Sequence, residues 1–175
     1  MPGFTIHLAV AKEYEKKHKD EIKKEADFIQ GVLAPDLLSI KNKEDKTITH
    51  YGKRKEGRLE IQLKEFIDTT TIDLVSDYGK GYFLHLLTDY YFYTQDFKQE
   101  TDDTIQKETT FYHDYDCLNQ ELLETYQIEV LPEIAKYMAI IKDKPEFLKP
   151  QKVNEFIEKM AKLDLEEEKK EAEGE

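Results

Sequence analysis

Apolar residues recur every three to four positions over most of the chain, the spacing of one face of a helix rather than of a strand. Ile6, Val10 and Tyr14 predict a helix over about 5–18, with Thr5 as its N-cap. Ile22, Ala26, Ile29 and Leu33 predict a second over about 20–33. Pro35 disfavours helix at Ala34 and is expected to end it, leaving Asp36 just past a helix terminus. Two short segments, 47–51 and 59–63, alternate instead, and the stretch from Gly52 to Gly57 can turn between them, so a small β-hairpin near 47–63 is expected. A weaker helix is predicted over about 64–75, with Thr69, Thr70 and Thr71 lowering its propensity.

The segment over about 80–97 is apolar nearly all round, which predicts the central buried helix of a bundle. Further helices are expected at about 110–126, 131–141 and 149–163. The predicted fold class is therefore all-α, a multi-helix bundle with one small hairpin. Residues 1–163 form a single expected domain, and the acidic stretch 164–175 reads as a disordered tail.

Composition narrows the functional classes. The 175 residues carry a net charge of −12, against the basic footprint that general nucleic-acid binding needs. Bound cations would offset such charge. The single cysteine, Cys117, excludes an intrachain disulfide. The longest apolar run, 82–87, is too short to span a bilayer, so no transmembrane segment is expected. No charged leader with an apolar stretch comes after Met1, and the expected location is cytoplasmic.

Several polar residues stand in apolar settings. His85 and Asp89 are four apart on the central helix and share one face, so both can meet one ion. Burying an ionised aspartate without a partner is costly, and a metal or a His–Asp hydrogen bond would satisfy it. Asp36 lies between Pro35 and Leu37, His50 beside Tyr51 and Gly52, and His7 between Ile6 and Leu8. His113 has Asp116 at i+3 and Cys117 at i+4, either of which can share a ligand face with it. His18, among lysines, reads as solvated.

The strings Pro2-Gly3-Phe4-Thr5-Ile6-His7, Gly31-Val32-Leu33-Ala34-Pro35-Asp36, Thr49-His50-Tyr51-Gly52 and Gly81-Tyr82-Phe83-Leu84-His85-Leu86-Leu87-Thr88-Asp89 resemble the zinc-dependent phospholipase C family, and more closely its short intracellular bacterial branch. The Gly-Tyr-x-x-His-Leu-x-x-Asp part carries most of that resemblance. It implies an all-helical bundle with a tri-zinc cleft. By position, Asp36, His50, His85 and Asp89 match the first zinc set. His7 and a bridging Asp89 match a second set, which also uses the N-terminal residue, and His113 matches one ligand of the third. The chain departs from the pattern in having no Trp, in having Gln95 where another histidine falls, and in having Cys117, preceded by Asp116, where a glutamate falls. One or two ions are expected rather than three.

The resemblance implies a phosphoester hydrolase that works through a metal-activated water, with Asp36 orienting or deprotonating that water. Tyr51 and Tyr112, adjacent to candidate ligands, are expected to line the cleft. Zinc suits a mixed His/Asp site, and other divalent metals also fit. The substrate would be a phosphoester small molecule or a lipid head group. Two alternatives remain open on the sequence. One is a non-catalytic, metal-stabilised helical binding protein. The other is an HD-type phosphohydrolase built on the His113-Asp114 doublet.

Overall fold

A computed structural model describes residues 3–55, 58–103 and 111–174. Met1, Pro2, the turn expected at 56–57 and the start of the helix expected at 110 lie outside the described residues. The chain is all-α with one small antiparallel hairpin, as the periodicity predicts. Helix α1 spans Phe4–Lys17, and Gly3 rather than Thr5 is its N-cap. Helix α2 spans Glu25–Lys41 and α3 is a single turn, Lys46–Thr49. Strands β1 (Gly52–Lys55) and β2 (Arg58–Ile61) pair from Gly52↔Ile61 to Lys55↔Arg58. Helices α4 (Leu63–Thr69) and α5 (Asp77–Tyr91) come next, and a π-helical turn, Phe92–Asp96, continues α5. The rest comprises α6 (Lys98–Asp103), α7 (Tyr112–Thr125), α8 (Pro132–Ala135), α9 (Pro150–Ala161) and α10 (Leu165–Glu173).

Helix α5 is central, with every residue from Gly81 to Asp89 buried. Ser76 caps it, its hydroxyl accepting from the Gly79 N–H at 3.0 Å. Helix α2 crosses α5 at backbone contact. A Cβ on Gly31 would lie 2.0 Å from the Tyr78 carbonyl oxygen, and one on Gly81 would lie 2.2 Å from that of Phe28. These two glycines let the helices approach so closely. Aromatic rings fill the adjoining core, where Phe92, Phe97, Phe111 and Phe156 are fully buried.

Pro35 does not end α2, and Asp36 is a helical residue rather than one past the end. An interior proline removes one hydrogen bond and costs about 3 kcal/mol. Burial of Phe28, Val32, Leu33 and Ala34 against neighbouring helices outweighs that cost. The hairpin is narrower than expected, because 46–49 is helical. Asp45 caps that turn by accepting from the Thr47 N–H at 2.8 Å. The helix expected over 131–141 is only the short α8. Beyond it, α7 supplies the partners that a helix would otherwise provide. Asn119 Nδ2 donates to the Ala139 carbonyl at 2.7 Å, and the Ile141 N–H donates to the Asp116 carbonyl at 3.2 Å.

The acidic stretch after Asp164 is helical, not disordered. Asp164 caps α10 by accepting from the Glu166 N–H at 3.0 Å. Leu165 and Ala172, seven residues apart, put one apolar face against the core, and Ala172 is buried. Tyr91 donates to Glu168 at 2.7 Å, tying the helix to the end of α5.

Candidate metal centre

Four elements deliver five polar side chains to one buried place. Helix α1 supplies His7, α2 supplies Asp36, the C-cap of α3 supplies His50, and α5 supplies His85 and Asp89. All five are buried, and His50 and Asp89 are completely so. The i,i+4 spacing on α5 puts His85 Nε2 3.3 Å from Asp89 Oδ2. His50 Nε2 lies 3.6 Å from that oxygen and 3.0 Å from Asp36 Oδ1. His85 Nε2 lies 3.7 Å from Asp36 Oδ1. The other oxygen of Asp89, Oδ1, faces His7 Nε2 at 3.0 Å. The imidazoles of His7 and His85 stack with centroids 3.6 Å apart.

Two histidines are held so that Nε2 points inward. The Val32 carbonyl lies 2.6 Å from His85 Nδ1 and accepts its proton. The Thr49 hydroxyl lies 2.8 Å from His50 Nδ1. With Nδ1 as the donor, Nε2 of each ring would be free to ligate a cation, as in metal sites where a second partner fixes the tautomer. A proton on His50 Nε2 instead pairs it with Asp36 Oδ1.

The inner atoms are short of hydrogen bonds. Among the described residues, both oxygens of Asp89, His85 Nε2 and both nitrogens of His7 have no aligned hydrogen-bond partner. Unpaired buried polar atoms are costly, and a cation would pair them together. A tetrahedral ion with bonds of about 2.0–2.2 Å sets its ligands about 3.3–3.6 Å apart. Four nitrogen–oxygen separations, from His50 and from His85 to the carboxylates of Asp36 and Asp89, run from 3.0 to 3.7 Å. This buried His/Asp group can hold a metal ion, with His7, His85 and Asp89 as one triad and Asp36, His50 and His85 as another. A histidine nitrogen serves one ion only, whereas the two oxygens of Asp89 face the two sides.

Charge within the group is strongly coupled. Burial raises the Asp36 carboxyl, but His85 and the His50 hydrogen bond outweigh it and hold it at about 2. Burial also raises Asp89, yet His7 and His85 bring it well below the ordinary range. Burial and the His85 charge lower His7, which favours its neutral, ligand-competent form.

A cleft of about 340 Å³ opens above the group, lined by Phe4, Asp36, Lys46, Tyr112, Tyr115 and Tyr137 among others. Asp36 alone of the five donors lines it. Tyr112 does stand at this cleft, with Lys46 Nζ 3.4 Å from its hydroxyl. Tyr51 turns away. Its ring packs edge-on against Phe66 and its hydroxyl donates to Thr70 at 3.3 Å.

The structure does not bring His113 to the buried group. Its side chain is half exposed, with Cys117 Sγ at 3.6 Å and Asp143 at 3.9 Å. Phe111, Tyr115, Leu118 and Leu122 form the inward face of α7, which turns His113 outward. Asp116 lines the cleft without joining the buried donors. Asp114, the second member of the doublet, is a structural anchor. Its carboxylate accepts from the N–H groups of Glu146, Phe147 and Leu148 at 2.7, 2.7 and 2.9 Å. Tyr115 is the cleft residue that sequence reasoning missed, although its place in the Phe111–Leu118 repeat marks it as inward-facing.

No family model, curated protein or solved structure matches this chain. Among the described residues, no helix is long and apolar enough to cross a membrane.

Proposed function

We propose that this protein is a metal-dependent phosphoester hydrolase whose ion, zinc by the chemistry of its donors, is held by His7, Asp36, His50, His85 and Asp89. The observation that carries the reading is the close spacing of these donors beside an open cleft, with the inner atoms of His7, His85 and Asp89 left unpaired among the described residues. The residue order that resembles the zinc-dependent phospholipase C family supports it further. Mixed imidazole and carboxylate donors without thiolate suit zinc.

A divalent ion in such a site lowers the pKa of water and polarises a phosphoryl oxygen. The chain's own residues do the remaining work. Asp89, fully buried, would offset the charge of the ion, with one oxygen beside His7 and the other beside His50 and His85. Asp36 faces both the donors and the cleft, so its carboxylate can orient an attacking water and take its proton. Lys46, beside Tyr112, brings positive charge toward an anionic substrate. Phe4, Ile40 and Met138 give the cleft apolar walls.

The test is a panel of phosphomonoesters and phosphodiesters offered to zinc-loaded protein. Cleavage of at least one member is expected. Asp36→Asn should lower the rate by about 10²–10⁴ while keeping metal, the usual worth of a positioned acid–base group. No cleavage across the panel by fully loaded protein overturns the hydrolase reading.

A further inference from the structure

Most buried tyrosine hydroxyls in this protein have a partner. Tyr14 donates to Glu21 at 3.0 Å, Tyr91 to Glu168 at 2.7 Å and Tyr126 to Asn154 at 2.7 Å, and Tyr82 donates to the Thr49 carbonyl. Tyr115 does not. It is 5% exposed, and its hydroxyl finds no hydrogen-bond partner among the described residues. The Tyr93 hydroxyl is also unpaired, but Tyr93 is not part of the metal-site cleft.

The position of Tyr115 gives the missing partner a chemistry. It packs beside Gly3, where an added Cβ would sit 3.3 Å from Tyr115 Cβ. It lines the same cleft as Asp36, next to Lys46 and Tyr112. Asp36 belongs to the donor group, so Tyr115 and that group share one cavity wall. Burial, and then the negative charge of Asp89, push this phenol well above its ordinary range. It therefore keeps its proton at neutral pH and has that proton to donate.

We propose that the Tyr115 hydroxyl is a catalytic-site hydrogen-bond donor to a non-bridging oxygen of the phosphate group bound over the metal centre. The inference rests on the hydrolase reading above and adds a residue to it. An anionic oxygen satisfies a buried donor that the protein leaves unpaired, and a hydrogen bond to a charged acceptor is the stronger kind. The ring is already buried, so little side-chain freedom is lost when the ligand arrives.

The experiment titrates inorganic phosphate into zinc-loaded full-length protein by calorimetry, comparing wild type with Tyr115→Phe. Metal content and melting temperature are measured on the same samples. The variant should bind phosphate about tenfold or more weakly, as loss of a charge-assisted hydrogen bond requires. Its metal content should be unchanged. Its melting temperature should be equal or higher, because an unpaired buried hydroxyl has been removed. If wild type binds phosphate and Tyr115→Phe matches it within about twofold, the proposal fails while the hydrolase reading stands. A clearly lower melting temperature for the variant also overturns it, since the hydroxyl would then have a structural partner. If zinc-loaded wild type neither binds phosphate nor cleaves any phosphoester, both readings fall together.

Discussion

The Thr49 hydroxyl lies 2.8 Å from His50 Nδ1, on the side of the ring opposite Asp36. Adjacent in sequence, the two residues act as donor and orienting partner. Thr49 is buried, so its hydroxyl has no solvent to replace this contact. Thr49→Val keeps the shape and removes the acceptor for the Nδ1 proton. Metal affinity should fall by about 10–100-fold, the usual effect of losing such an outer partner. A competition titration with a chromogenic chelator measures this. An unchanged affinity would mean that Thr49 does not set the tautomer of His50.

Gly31 and Gly81 connect the fold to the site, because α2 carries Asp36 and α5 carries His85 and Asp89. Gly31→Ala would place a methyl 2.0 Å from the Tyr78 carbonyl oxygen. A backbone atom cannot swing aside, so the helices must separate. We expect a loss of about 2 kcal/mol or more in chemical denaturation, with weaker metal binding in the folded variant. Wild-type stability in this variant would contradict the close crossing.

Asp114 separates structure from chemistry. It accepts three backbone N–H groups from 146–148. Asp114→Ala leaves them unpaired and should cost about 3 kcal/mol in urea unfolding. Metal stoichiometry of the folded fraction should stay that of wild type. Loss of metal without loss of stability would instead support a site built on the His113-Asp114 doublet.

Glu15 provides a pH test remote from the metal donors. Burial, then a hydrogen bond and the charge of Glu25, raise its carboxyl to about 7. The folded state therefore binds this proton more tightly than the unfolded chain. Its contribution to stability is greatest below the ordinary glutamate range and is lost as pH rises through about 7. Glu15→Gln should melt higher than wild type at about pH 8 and differ little at about pH 4. Thermal melts across that range check the sign. A variant that loses stability at the alkaline end would contradict the shared-proton pair.

Helical periodicity alone made the all-α class and the central place of α5 legible. His85 and Asp89 could be picked out as polar residues on an apolar helix, where solvent cannot satisfy them, whereas His7, Asp36 and His50 joined them through the motif order that resembles the phospholipase C family. What failed depended on contacts distant in sequence. The Pro35 rule is local, whereas the α2–α5 glycine crossing that carries the helix through it joins residues about fifty positions apart. Phe111 and Tyr115, on either side of His113, point inward while His113 itself does not, and only the phase of α7 separates them. The acidic run after Asp164 looked too charged to order, yet Leu165 and Ala172 suffice to seat one face of α10.

The central claim is that these five buried residues bind an ion, and elemental analysis of protein purified without chelator tests it most directly. Wild type should carry about one or two zinc-like ions per chain, and His85→Ala, which deletes the residue that belongs to both donor triads, should carry almost none. The account is contradicted if wild type remains metal-free after incubation with excess zinc, or if His85→Ala retains the wild-type metal content.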